Sequence, residues 1–250
     1  MRAIALIAGA VFRESVRDRV PYSMVVFAIL LMAASYLISQ MTAGQDLKIV
    51  KDLGLAAILL FGLLIAVFIG IGLVSKEVER KSIYGLLTKP VSRSQFVLGK
   101  FAGLVLTLAV NVGAMTAALY GVMLYLRWVS PNLELAAAAP AMDPRMLIAV
   151  VLILAELILV TALALFFSTM SSPLLATLLT LGLWVAGHFN ADLRNFESVI
   201  DSPAIAGIAR VVYYTLPNLA PFDVKAEVVH GLPVGIRHVA LTLGYAAVYS

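Results

Sequence analysis

From Leu53 to Val74 every residue is apolar or glycine, without one polar side chain. A helix of that length rises about 33 Å, and the hydrocarbon core of a bilayer is about 30 Å thick. Five further apolar stretches follow the same rule more loosely. The expected spans are Val20–Ile38, Leu53–Val74, Phe101–Leu126, Met146–Phe167, Pro173–Phe189 and Ile236–Ser250. The sixth is still apolar at Ser250 and would reach only about 22 Å, so the natural chain is expected to continue past that residue. The chain is 62% hydrophobic and 13% charged. Soluble domains are about a quarter charged, so a soluble fold is excluded. Period-2 alternation is missing, which excludes a barrel. The expected fold is an all-α integral membrane protein: six transmembrane helices in a single domain over residues 1–250.

Residues 1–19 read as an amphipathic interfacial helix. Ile4, Ile7, Ala8, Val11, Phe12 and Val16 recur at helical spacing, with Arg13, Glu14, Arg17 and Asp18 opposite. Pro21 is expected to mark the turn into the first span. The apolar part of "MRAIALIAGA" is too short for a signal peptide.

Lysine and arginine set the orientation. With the N-terminus inside, the inner side holds ten basic residues against four acids, and the outer side eight against nine. Tyr125 and Trp128 then fall at the outer end of the third span, as an aromatic belt would.

The 191–235 segment is too polar to span. Ile205, Ile208, Val212 and Leu216 share one helical side. Asp223 is the expected N-cap of a second short helix, with Gly231 and Pro233 as its stop signals. The pattern fits two short helices on, or dipping into, the outer interface; an ordinary surface loop is the alternative.

Candidate chemistry is sparse. With no Cys there is no disulfide or thiolate site. His188, His230 and His238 lack a ligand partner at i+3 or i+4, so no metal site is expected. No stretch matches the phosphate-binding pattern G-x-x-x-x-G-K-[ST]. Glu156 lies inside the fourth span, where a charge costs about 3 kcal/mol on insertion scales. It either lines a pathway or bonds a neighbouring helix. Gly62, Ala66 and Gly70 form a small-residue row on the second span, and Gly113, Ala117 and Gly121 form one on the third. Such rows let backbones approach, within the chain or against a second subunit.

The connection from Ser75 to Lys100 is the most patterned segment. It carries six of the eighteen basic residues: Lys76, Arg80, Lys81, Lys89, Arg93 and Lys100. "KEVERKSIYGLL" is helical in pattern, with a Glu77–Lys81 pair at i,i+4. Pro90 ends it. Ser92 and Gln95 form a capping box, with Val91 and Phe96 as its staple. The segment reads as a docking helix for a cytoplasmic partner, against the plainer alternative of a basic loop on anionic lipid.

The stretch "EVERKSIYGLLTKPVSRSQFVLGK" resembles the loop between the second and third spans of ABC type-2 exporter permeases. Members often read E-x-E-R-x-T-[IL]-x-x-L-L-[ST]-K-P-[VI]-S-R, followed by Leu-Gly-Lys. Here Ser82 replaces the common Thr, and Lys81 stands where many members have Gly. The amphipathic N-terminus, the six spans and "SSP" at 171–173 are similar too. The segment "LPNLAPFDVKAEVVHG" at 216–231 resembles the branch containing nitrous-oxide-reductase maturation and gliding-motility permeases.

The resemblance implies a transmembrane permease subunit in the cytoplasmic membrane of a bacterium or archaeon, with its N-terminus cytoplasmic. Two such protomers would pair over two cytoplasmic ATP-binding subunits, which would hold ATP and magnesium; this chain would carry no cofactor and bind no nucleic acid. The implied coupling-helix contacts to the ATPase are Glu77, Glu79, Arg80, Lys81, Ile83, Tyr84 and Leu87. The outer helices would gate export, and an outer-side accessory protein is compatible with this scheme. A membrane anchor for a cytoplasmic complex, without transport, is the alternative of a different class. A secondary transporter fits less well, because only one charge lies within the spans.

Overall fold

Asp18 sets the first corner of the chain. Its Oδ1 accepts the backbone N–H of Val20 at 3.2 Å, the bond an N-cap residue makes to the second residue of a helix. The computed structural model describes residues 2–39, 46–79, 92–129, 142–189 and 217–250. Helix α1 (Arg2–Arg17) ends just before Asp18, and α2 (Arg19–Ser39) starts just after it. The turn is therefore three residues earlier than Pro21, which lies inside the first turn of α2. Proline is tolerated there because the N–H it lacks would have had no intrahelical acceptor.

The remaining helices are α3 (Asp46–Glu79), α4 (Arg93–Val129), α5 (Arg145–Met170), α6 (Pro173–His188), α7 (Lys225–Val229) and α8 (Ile236–Tyr249). A 3-10 turn covers Ala220–Phe222. Four helices, α2 to α5, are long and apolar enough to cross a membrane. Helix α6, with 16 residues, is apolar but shorter, and α8 has 14 residues.

Helix α3 continues through Val74 to Glu79, so the first residues of the expected docking helix prolong a span. The capping box forms as read: Gln95 N–H donates to Ser92 Oγ at 3.3 Å, and Ser92 N–H to Gln95 Oε1 at 3.4 Å. Pro90 and the staple residue Val91 lie outside the described residues, as does the expected helix around Ile205 to Leu216.

Helices α3 and α5 form the centre, with α2, α4 and α6 packed around them. The small-residue row on α3 meets α5. A Cβ added at Gly62 would fall 2.5 Å from Leu157 Cδ1, and one at Gly70 would fall 3.2 Å from Ala164 Cβ. Lipid tails are as apolar as leucine, so this close packing, rather than water exclusion, holds the helices together. The corresponding row on α4 behaves differently: a Cβ at Gly113 or Gly121 would meet nothing within 4 Å. Among the described residues, that row has no packing partner.

A second glycine pair on α4 holds the N-terminal helix. A Cβ at Gly99 would come within 2.8 Å of Ile7 Cβ, and one at Gly103 within 2.7 Å of Val11 Cβ and 2.8 Å of Ala8 O. Val11 and Leu104 are buried in the small cluster that results, with Ile7 and Phe101 packed on it. The amphipathic α1 thus seats its apolar face on the N-terminal third of α4.

Candidate functional site

Helices α5 and α6 form a hairpin joined by Ser171 and Ser172. Ser171 closes α5: its N–H and Oγ both bond Phe167 O, at 3.0 and 2.8 Å. Ser172 caps α6 in an extended conformation, and Pro173 opens it at the first helical position, where its fixed φ suits the helix. So tight a link brings the two helices back alongside each other with a set register. Glu156 and the last turns of α6 come together as a result.

Glu156 is 1% exposed. It lies 11 residues into α5, about 16 Å from that helix's N-terminal end. Trp184 Nε1–H donates to Glu156 Oε1 at 2.7 Å, and His188 Nε2 stands 3.4 Å from the same oxygen. The Trp184 and His188 rings meet at a tilt of 57° with centroids 4.7 Å apart, and His188 Nδ1 lies 3.1 Å from the Trp184 carbonyl oxygen. The carboxylate therefore has a donor and a titratable partner on one neighbouring helix. This is how a buried polar group avoids the penalty of being left unpaired.

The segment from Pro217 to Gly231, expected on the outer side and called the outer segment below, closes over this group. Leu219 N–H donates to Gly187 O at 3.0 Å, and Asn218 N–H to Tyr245 Oη of α8 at 2.9 Å. Leu219 and Phe222 are buried with Ala155, Leu159 and Ala246, and Trp184 packs on that cluster. Gly187 is needed for the close approach, since a Cβ there would lie 2.8 Å from Leu219 Cγ and 2.9 Å from Pro217 O. Val224, Val228 and Val229 sink into the main core beside α3 and α5. The segment dips into the bundle rather than lying on it.

Its second helix, α7, ends in a Schellman motif: Leu232 N–H bonds Glu227 O at 2.8 Å and Gly231 N–H bonds Val228 O at 3.1 Å. Gly231 has φ 72°, as the motif requires. Gly231 is thus the stop signal its sequence position suggested. Asp223 precedes the helix by two residues. Its Oδ1 accepts Lys225 N–H at 3.3 Å and pairs with Lys225 Nζ at 3.5 Å. The capping position itself belongs to Val224, so Asp223 makes the turn into the helix rather than capping it. Lys225 and Asp223 both act electrostatically on Glu156. Arg145 ties down the end of the segment by donating to Gly231 O at 2.5 Å.

Sequence reasoning singled out Glu156 and weighed His188 only as a metal ligand; it did not join either to Trp184 or to each other, because nothing local links residues 28 and 32 positions away. A signal was present. A two-residue link between antiparallel helices puts position 156 level with about position 187, in the turn that holds both rings.

Of the residues expected on the inner side, Glu77 and Glu79 occupy the last turns of α3. Arg80, Lys81, Ile83, Tyr84 and Leu87 lie outside the described residues. What is described on either side of them is a frame: α3 helical to Glu79, α4 capped at Ser92, and α1 seated on α4 about two turns beyond the cap.

Residues 5–193 match the family described as ABC-2 family transporter protein. No curated protein matches the chain.

Proposed function

The chain belongs to the ABC-2 family of transporter proteins, and we propose that it is the permease subunit of an ATP-driven exporter. It takes part in transport as a membrane component and is not itself catalytic. In the proposed assembly α6 and α8 are the fifth and sixth spans, and the N-terminus faces the cytoplasm in a bacterial or archaeal inner membrane. Two protomers pair to form the path, and a separate ATP-binding subunit with ATP and magnesium docks below. Glu77, Glu79, Arg80, Lys81, Ile83, Tyr84 and Leu87 make the docking contact. The outer segment, from Pro217 to Gly231, is the outward gate, and Glu156 sits beneath it.

The observation that carries this reading is the family match, whose range, residues 5–193, includes the inner loop. The stiffness of the frame around that loop supports it. A force-transmitting contact needs anchored ends, and the loop leaves a continuous helix on one side and enters a capped, α1-braced helix on the other.

The test is co-purification of the chain with its ATPase from native membrane, for the parent and for Arg80→Glu combined with Tyr84→Ala. The double variant is expected to fold and insert but to lose the ATPase. Full retention of the ATPase, with unchanged ATP hydrolysis by the complex, would refute the docking assignment. ATPase binding without ATP-driven movement of any solute or lipid would leave a membrane anchor instead.

A further inference from the structure

The contacts of His188 constrain where its protons are. Nδ1 lies 3.1 Å from the Trp184 carbonyl oxygen, which can only accept, so Nδ1 carries a hydrogen. Nε2 faces Glu156 Oε1 at 3.4 Å, within ion-pair range but longer than a tight hydrogen bond. If neither of those two atoms held a proton, a lone pair would face a carboxylate in a site where Glu156 is 1% exposed. One proton between them removes that conflict, whether it sits on the ring or on the carboxyl, and the pair then has no net charge.

We propose that Glu156 and His188 form a one-proton site that latches the outer segment in its seat, and that loss of this proton toward the outside unseats it. The last turn of α6 carries both functions. His188 takes the proton, and Gly187 beside it accepts Leu219 N–H and makes room for the Leu219 side chain. His188 is 21% exposed and Glu156 1%, so the ring is the face open to exchange. With the proton gone, a net negative charge is left among apolar side chains, with Trp184 Nε1–H as its hydrogen-bond donor and with Lys225 and Asp223 acting on it in opposite senses.

The neighbouring elements offer little to replace the proton. On the outer segment Lys225 is held by Asp223 at 3.5 Å, and on α8 His238 Nε2 is bonded to Pro221 O at 2.8 Å. Tyr245 of α8 accepts from Asn218, and Tyr120 of α4 donates to Asp143 O. Between Leu53 and Leu73, α3 has no titratable side chain. The latch therefore holds at lower external pH and releases as pH rises.

This inference rests on the outer segment being the gate. The chain has no Cys and only two Trp, so both reporters can be unique. Trp128→Phe leaves Trp184 as the sole indole, its ring against that of His188, and a protonated imidazole quenches indole emission. In lipid vesicles its emission is expected to rise in one step as the pH is raised. His188→Asn should abolish the step, and Glu156→Gln, which keeps an acceptor for Trp184, should remove or displace it. Val228→Cys, at a buried position of α7, reports unseating through its reaction with a membrane-impermeant maleimide. Labelling should speed up by about tenfold or more across the same step, the scale of one lost hydrogen bond to a charged group.

Flat emission in the Trp128→Phe chain overturns the proposal. So does labelling that ignores both pH and Glu156→Gln. Both readouts use vesicles without an ATPase. A pH step with no ATPase bound in the separate co-purification sinks the permease reading alone, and a bound ATPase with no step sinks the latch alone.

Discussion

Replacing Gly103 by alanine tests how α1 is held, and the outcome can be worked out from the packing. The new Cβ would lie 2.7 Å from Val11 Cβ and 2.8 Å from Ala8 O. Carbon atoms pack best at about 3.5–4.0 Å, so α1 must retreat by about 1 Å. One of the two obstacles is backbone, which no rotamer change can move aside. Overpacking of this kind costs about 1–3 kcal/mol, and the better helix propensity of alanine returns about 0.5–1 kcal/mol. The net expectation is a loss of about 1–2 kcal/mol, concentrated on α1. Amide hydrogen exchange of Leu6 to Val11, with the chain in lipid nanodiscs, should speed up by about tenfold, since about 1.4 kcal/mol is a factor of ten. Gly113→Ala is the control. Its Cβ meets nothing within 4 Å, so the propensity gain stands alone and the chain should be unchanged or slightly stabilised. Gly99→Ala combined with Gly103→Ala should cost less than the two single losses together, because one retreat of α1 relieves both contacts. If Gly103→Ala slows exchange in α1, or matches Gly113→Ala, α1 is not seated on this face and the reasoning fails.

Two predictions concern the outer side. Gly187→Ala puts a Cβ 2.9 Å from Pro217 O, so it should raise maleimide labelling of the Val228→Cys chain at every pH without changing the pH at which labelling steps. Labelling equal to the parent's would refute the seat. Gly231→Ala forces a side chain into φ 72°, costing about 1–2 kcal/mol. Exchange at the Gly231 and Leu232 amides should quicken while α5 is unaffected, and unchanged exchange would refute the Schellman assignment.

The sequence made some of this fold legible because single side chains dictated it locally. The charge-free run at 53–74 demanded a span, and Ser92 with Gln95 demanded a helix start; both are there. Gly231 marked the end of α7 because few other residues tolerate a positive φ. Prediction failed where the deciding partner was remote. Pro21 was a plausible corner until Asp18 bonded the Val20 amide. The two small-residue rows read alike in sequence, yet Gly62 and Gly70 face α5 while Gly113 and Gly121 meet nothing among the described residues, because which side of a helix meets a neighbour is a tertiary fact. Glu156 was conspicuous as a lone charge in a span, but its partners depended on the register of a hairpin set by Ser171 and Ser172.

Helix α3 connects the two ends of the proposed cycle. It is 34 residues long, about 51 Å from end to end, and contains no proline to hinge it. Its inner end leads into the loop assigned to the ATPase. Farther along it packs on α5 through Gly62 and Gly70, and it touches α7 of the outer segment. A tilt imposed at Glu79 therefore has a short mechanical route to Val228, through one stiff helix rather than a chain of side chains. A stiff rod transmits displacement but does not switch; a switch needs an element with two stable arrangements. The outer segment fits that role better than the bundle does. It is held at separate points, by Gly187, Tyr245, Arg145 and the valines of α7, and each hydrogen bond among them is worth about 1 kcal/mol. The interlocked α3–α5 glycine contacts cannot be given up singly. Motion driven from the inner side should thus spare the α3–α5 pair and appear where the contacts are few and separable, above Glu156.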